Sequence, residues 1–223
     1  MNTLKFNEKY YQPVLIDKKF FVKFENKYLK DNSERDCTER LKTIFNHLKG
    51  TGTILDIGCN IGLFTHAAQD KGFEATGIDN NKHTEVKRFC KTDSLEVAKE
   101  LSIIYDIYPE FVRGDYKEYI KQHKFDYIFY LSVWHHHLVG YDKTNEYMQI
   151  FFDVIDSANK GIYFEIDPKH LKKINMSIDE FIKFVELKKN VKFELLGEVN
   201  EQSKVINYKF DRKLYYINIE DKR

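Results

Sequence analysis

The chain has 223 residues and a formal net charge of +1, from 36 lysines and arginines against 35 aspartates and glutamates. One domain accommodates that length, and so near-neutral a balance supplies no global field to draw in nucleic acid or an anionic membrane. Only six of the basic residues are arginines, and lysine holds a phosphate as a point charge without arginine's two-pronged geometry, which argues against a dedicated phosphate reader.

Residues 1–30 are aromatic and lysine-rich, contain Pro13, and read as an irregular or helical arm. From Ser33 the pattern turns helical, with Cys37, Leu41, Ile44, Phe45 and Leu48 on one face and Gly50 as the stop. Apolar runs then follow at Thr53–Ile57, Glu74–Asp79, Glu110–Asp115, Phe125–Val133, Lys160–Ile166, Val191–Val199 and Lys213–Ile219. The first five are separated by stretches long enough for crossover helices, and such a stretch is well marked between the fifth and sixth, by a capping box at Ser177 and Glu180 and by Ile178, Phe181, Ile182 and Val185 on one face. The last two are joined by little more than a loop around residues 200–211, which predicts a terminal antiparallel hairpin. The alternation is that of an α/β fold.

The first strand runs into Leu55-Asp56-Ile57-Gly58-Cys59-Asn60-Ile61-Gly62, and the second ends at Asp79, 21 residues after Gly58. Glycines let the backbone turn sharply and approach a ligand, and an acid at that offset suits the hydroxyls of a ribose. A dinucleotide site has G-x-G-x-x-G, so that a pyrophosphate can meet the helix N-terminus. Here Asn60 stands at the middle glycine, and Asp56 would repel a pyrophosphate while suiting a ligand that carries an ammonium and a sulfonium.

This segment resembles the first motif of the class I S-adenosylmethionine-dependent methyltransferases, (L/V)-D-(I/V/L)-G-(C/T)-G-x-G, departing from it at Asn60. The resemblance implies a seven-stranded, mostly parallel Rossmann-like sheet with helices on both faces, a C-terminal antiparallel hairpin and an N-terminal helical arm. It also implies S-adenosyl-L-methionine as cofactor and S-adenosyl-L-homocysteine as product. Asp56, Gly58, Cys59, Asn60, Gly62, Asp79, Asn80, Asp115, Tyr116 and the strand end at Leu131 are then the cofactor-binding candidates. Asp56 would meet the methionyl ammonium, Asp79 the ribose, Asp115 the adenine amino group, and Tyr116 would cover the ring. Plainer roles remain for several of them: Asn80 and Asp115 suit turns, and Cys59 suits packing. Residues 1–50 are expected as an arm and helix that form an active-site lid, with Tyr10, Tyr11, Phe20, Phe21 and Arg35 as lid residues, and residues 51–223 as the methyltransferase domain.

Tyr130-Leu-Ser-Val-Trp-His-His-His-Leu138 lies where such proteins often carry an S-x-x-H-H-(L/V/F) stretch near the methyl group, and it resembles that stretch with His137 at the last position. His135, His136 and His137 are the candidates for a catalytic base, since an imidazole takes a proton at neutral pH. Adjacent side chains splay, so at most one or two reach an acceptor, and no helically spaced partner completes a metal shell. No metal is expected. Trp134 reads as core or as a substrate wall, and Glu165 and Asp167, at the end of the fifth run, could hold a substrate amine or cap the turn at Pro168. The expected reaction is methyl transfer to an O or N atom of a small polar molecule, with RNA (base, ribose or terminal phosphate) as the alternative acceptor. A nicotinamide-dependent oxidoreductase and a non-catalytic partner of the same fold are the rival readings. Cys37, Cys59 and Cys90 form no C-x-x-C pair, the amino terminus is polar, and no apolar run approaches ~20 residues, so a soluble cytoplasmic protein without membrane contact is expected.

Overall fold

Seven strands make up one sheet: β1 (Thr53–Ile57), β2 (Glu74–Asp79), β3 (Glu110–Arg113), β4 (Phe125–Leu131), β5 (Ala158–Ile166), β6 (Val191–Gln202) and β7 (Lys209–Ile219). The computed structural model describes residues 10–15, 17–23, 27, 33, 35–82, 92–140, 142–202 and 209–220; Cys90, residues 1–9 and the side chain of Phe20 lie outside that description. The strand order is β3-β2-β1-β4-β5-β7-β6. The first five strands pair in parallel, and β7 lies antiparallel between β5 and β6. The order reverses at β1 and β4, and in an open α/β sheet the crevice beyond the carboxyl ends of these strands takes the ligand.

Alternate side chains of a strand point to opposite faces, and both faces here are covered. Along β4, Phe129 enters one core while Ile128 and Tyr130 enter the other; along β5, Tyr163 and its neighbours Ile162 and Phe164 divide in the same way. The first core receives Leu41, Ile44 and Phe45 of α2 (Thr38–His47), Leu63, Phe64 and Ala67 of α3 (Leu63–Asp70) and Val97 and Leu101 of α4 (Ser94–Tyr105). The second receives α5 (Tyr116–Tyr119), α6 (His135–Val139), α7 (Tyr147–Ser157) and α8 (Ile178–Lys189) through Tyr116, Leu138, Phe151 and Phe181. In the arm, α1 is a single turn (Lys19–Lys23), and Phe21 and Tyr10 pack into the first core. The capping box at Ser177 and Glu180 opens α8.

Several boundaries differ from the sequence reading. The third run stops at Arg113, and Asp115 lies beyond Gly114 as the N-cap of α5. The fourth stops at Leu131 because Ser132 takes a left-handed φ of 62°, which no strand tolerates. The hairpin strands extend further than expected, to Gln202 and back to Lys209, as a two-stranded ladder beyond the end of β5.

Candidate cofactor and acceptor site

After β1 the chain enters α3 through Gly58, Asn60 and Gly62, with φ of 70°, 53° and 77°. Asn60 is thus in the left-handed region, which asparagine tolerates better than most residues, so its replacement of the middle glycine is conservative for the backbone. The flanking glycines are required sterically: a Cβ on Gly58 would lie 2.6 Å from Val133 Cγ2, and one on Gly62 would lie 2.5 Å from Phe111 Cζ. The loop is held at both ends. Gly58 and Cys59 donate their N–H groups to Ile78 O at 2.8 and 3.2 Å. The Gly62 carbonyl accepts from His66 Nδ1 at 2.7 Å, while His66 Nε2 faces Ser102 Oγ at 2.9 Å. Burial lowers the His66 pKa to about 4, so the ring is neutral, and because a carbonyl only accepts, the proton belongs on Nδ1. Gly62→Ala is expected to cost at least about 1–2 kcal/mol through its left-handed φ, with the Phe111 contact adding to it. Urea denaturation reads this directly, and an unchanged midpoint would show that the loop accepts a Cβ.

Asp79, half-buried at the end of β2, uses both oxygens on the backbone: Oδ2 accepts from Asn60 N at 2.9 Å and Oδ1 from Asn81 N at 2.6 Å. The acid therefore sets the shape of the glycine loop. Asn60 Oδ1, pointing from that loop, is buried with no hydrogen-bond partner among the described residues, an acceptor that a bound ligand would satisfy. Asn80 is exposed and begins the turn by accepting from Lys82 N. Asp56 is buried and accepts from the Thr65 hydroxyl at 2.7 Å; burial pushes its carboxyl up to about 7 against that hydrogen bond. Cys59 is buried and unreactive, its thiol pushed well up by burial and by Asp79 and Asp56. Leu131, nearly buried, faces the first core.

Asp115 is exposed, caps Lys117 N at 3.0 Å and pairs with Lys117 Nζ at 3.3 Å. Tyr116 turns inward instead: its hydroxyl lies 2.6 Å from Tyr130 Oη and 2.5 Å from His137 Nε2, so its ring belongs to the second core. His137 Nδ1 faces the Asp142 carbonyl at 3.2 Å. Both nitrogens of His137 are therefore occupied by the interior. We expect His137→Gln to destabilise the fold by about 1–3 kcal/mol, the penalty for disturbing a buried hydrogen-bonded group, and to leave the chemistry of any bound acceptor intact. A fall in kcat with an unchanged thermal midpoint would assign His137 to catalysis instead.

His135 and His136 take the other direction, with His135 stacked on His170 at 4.4 Å between ring centroids. Burial, and then His136 and Arg212, hold His135 well below the usual range; burial and Arg212 lower His136 to about 4. Next to them, at the carboxyl ends of β4 and β5, lies a buried cluster of charges. Ser132 Oγ donates to Glu165 Oε1 at 2.7 Å and accepts from Arg212 Nη1 and, at 3.4 Å, from Arg35 Nη1. Glu165 also meets Arg212 at 2.8 Å, Arg40 at 2.9 Å and Arg35 at 3.6 Å. Arg35 Nη1 reaches the Tyr11 hydroxyl at 2.8 Å. One residue along the arm, Gln12 Oε1 accepts from Leu63 N at 3.2 Å, at the first turn of α3. The arm thus lies across both the glycine loop and the strand ends.

Sequence reasoning did not find Arg40, Arg212, Gln12, Thr65 or His170. Arg40 falls three residues after Cys37 on the buried face of α2, and a charge there was the available signal. Glu165 is engaged by guanidiniums, so it is not available to a substrate amine, and Asp167 caps the 3₁₀ segment Pro168–Ile174 through Lys169 N at 2.9 Å. Trp134 is core, packed among Phe151, Phe164 and Phe181 with its indole N–H on Tyr147 O. Among the described residues no helix is long and apolar enough to cross a membrane, and no group of three or more His, Cys, Asp or Glu could hold a metal ion.

A family described as a methyltransferase domain matches residues 28–151. Among solved structures, the bifunctional kinase-methyltransferase WbdD superimposes with a TM-score of 0.66 at 22% identity, covering 94% of this chain and 44% of that one. The chain therefore spans less than half the length of these WbdD chains. Magnesium protoporphyrin IX methyltransferase (ChlM) from Synechocystis PCC 6803, solved with bound SAM, gives 0.53 at 16% identity over 79% of this chain and 74% of that chain. PH0226 protein from Pyrococcus horikoshii OT3 gives 0.54 at 18% identity over 83% and 92%. At these identities the likeness is one of fold. No curated protein matches the chain.

Proposed function

The chain belongs to the methyltransferase-domain family, the class I S-adenosylmethionine-dependent methyltransferases, and on that premise we propose that it methylates an oxygen or nitrogen of a small polar molecule bound at the β4–β5 rim. The cofactor S-adenosylmethionine supplies, when bound, an electrophilic methyl group on a sulfonium. The loop suits such a nucleoside: Gly58 and Gly62 let its backbone turn in the left-handed region against Val133 and Phe111, and Asn60 Oδ1 is a buried acceptor with no hydrogen-bond partner among the described residues. In this reading Gly58, Asn60, Gly62 and Asp79 hold the cofactor, Asp56 lies on its methionyl side, and the Asp115–Tyr116 turn borders the adenine.

The observation that carries the acceptor reading is the arm. Tyr11 and Gln12 are tied to Arg35 and to the start of α3, over the strand ends where an acceptor must sit. A rim covered in this way supports a small acceptor over an RNA strand, as does the net charge of +1. In methyl transfer the protein's main work is alignment of acceptor and methyl carbon. His135 and His136 lie beside this rim and are neutral at pH 7; because burial and Arg212 disfavour their protonated forms, we assign them to lining the acceptor and accepting its hydrogen bond rather than to strong base catalysis. The test is to bind S-adenosylhomocysteine by calorimetry and then to follow label from S-adenosylmethionine into a pool of small metabolites and, separately, into total RNA. Label in the small molecules is expected; label in RNA alone would overturn the acceptor reading.

A further inference from the structure

The strand order β3-β2-β1-β4 places β1, and the glycine loop that leaves it, between β2 and β4. Neighbouring strands lie about 4.8 Å apart, so the segments leaving β2 and β4 stand about 10 Å apart, on either side of the crevice. An ion pair crosses that gap. Lys82, three residues after Asp79, meets Asp142, which follows α6, with Nζ 2.8 Å from Oδ1. We propose that this pair is a clasp over the adenosine end of the site, and that it opens to admit S-adenosylmethionine and release S-adenosylhomocysteine while the arm stays in place. The proposal rests on the methyltransferase reading and adds to it the route of cofactor exchange.

Backbone contacts aim both halves of the clasp. On the β2 side, Asp79 Oδ1 accepts from Asn81 N at 2.6 Å and Asn80 Oδ1 from Lys82 N at 3.0 Å. Asn81 takes a left-handed φ of 63°, and its Oδ1 accepts from Ser94 N and Ser94 Oγ, each at 3.1 Å. On the β4 side, the Asp142 carbonyl faces His137 Nδ1 at 3.2 Å, and His137 is itself anchored on the Tyr116 hydroxyl. Asp142 Oδ2 lies 3.6 Å from His137 Nδ1 and 3.9 Å from Lys117 Nζ, and Lys117 also pairs with Asp115 at 3.3 Å. Asp142 thus joins the segments that follow β2, β3 and β4. Two of these carry Asp79 and the Asp115–Tyr116 turn.

The arm and the clasp both cover the crevice, and they differ in what it takes to open them. The clasp is partly exposed, with 38% of the Lys82 side chain and 19% of the Asp142 side chain open to solvent. An ion pair in such a place favours its closed form by no more than about 5-fold. The arm is built into the protein: Tyr10, Val14 and Leu15 lie in the first core, and buried Gln12 accepts from Leu63 N. Exposing three such side chains disfavours a lifted arm by on the order of 1,000-fold or more. The clasp therefore opens far more often than the arm lifts.

The test is rapid mixing of S-adenosylhomocysteine with the full chain, which gives both rate constants. Asp142→Asn keeps the side chain's shape and the carbonyl that faces His137. It is expected to raise association and release together by about 3–5-fold and to leave Kd within about 2-fold. Lys82→Met should do the same and the double variant no more than either alone, a cycle that isolates the pair from any other contact of either residue. Wild-type rates should rise with added salt as the clasp is screened, whereas those of Asp142→Asn should stay level. S-adenosylhomocysteine carries no net charge at neutral pH, so salt acts on the protein. If a variant fails to fold, the wild-type salt dependence decides. Unchanged rates in Asp142→Asn, a weaker Kd with unchanged association, additive effects in the double variant, or salt-independent wild-type rates would overturn the proposal. Failure of the wild type to bind S-adenosylhomocysteine at all would strike the methyltransferase reading itself.

Discussion

Asp79→Ala is expected to weaken S-adenosylhomocysteine binding by about 100-fold or more. Two ribose hydroxyls donating to one carboxylate contribute about 1.5–3 kcal/mol each, and the substitution removes both. It acts a second time through the protein, because Asp79 also holds the N–H groups of Asn60 and Asn81 and so fixes the loop that the nucleoside must enter. Asp79→Asn keeps one acceptor oxygen and should fall between the two. The simplest readout is thermal protection. A ligand at 100 times its Kd stabilises by about 2.7 kcal/mol, and for a chain of this size each kcal/mol moves the midpoint by about 2–4 °C. Wild type should therefore gain about 5–11 °C from saturating ligand and Asp79→Ala almost nothing. Equal protection of both would remove Asp79 from the site.

The strands that build this half of the site were legible because local chemistry marks their ends. β1 and β2 run Thr53–Ile57 and Glu74–Asp79, as the apolar runs predict, since Gly58 stops one and Asp79 with its following turn stops the other. Asn60 was legible for the same reason: few residues other than glycine accept a φ of 53°, so the altered motif still encodes the same turn. Asp115 was located less well, because Arg113-Gly114-Asp115 reads as the close of a strand, whereas the acid is bound to the helix that follows.

The acceptor side was largely hidden, and the reason is distance along the chain. Arg40 and Glu165 are 125 residues apart and Arg212 and Glu165 are 47 apart, and no periodicity or spacing relates them. Their meeting depends on β7 inserting beside β5, which brings Arg212 to the rim, and on α2 placing its first turn over the same edge. The three histidines show the opposite limit. Adjacency in sequence marked them as one feature, yet helical geometry divides them, with His137 bound in the core and His135 stacked on His170.

Removing the carboxylate of Glu165 should have the largest effect on stability in the molecule. Glu165→Leu leaves Arg35, Arg40 and Arg212 buried without the group on which they converge, and breaking a buried ionic cluster from one side costs about 3–5 kcal/mol. Against a typical domain stability of about 5–15 kcal/mol this can leave the chain mostly unfolded at 37 °C. Glu165→Gln keeps the shape and can still accept from Ser132 or an arginine, so it isolates the charge. The pH dependence of the difference identifies the cause. Burial alone would raise the Glu165 pKa, but Arg40, Arg35 and Arg212 hold it well below the usual range in the folded chain. A depressed folded pKa stabilises above the unfolded value of about 4.3 and loses that stabilisation as pH falls through the folded value. The gap in urea midpoint between wild type and Glu165→Gln should therefore be constant from about pH 8 to pH 5 and narrow only below about pH 4. A gap that closed already near pH 6 would assign the effect to the histidines of the rim, and the absence of a gap at pH 7 would mean that the guanidiniums do not need this carboxylate.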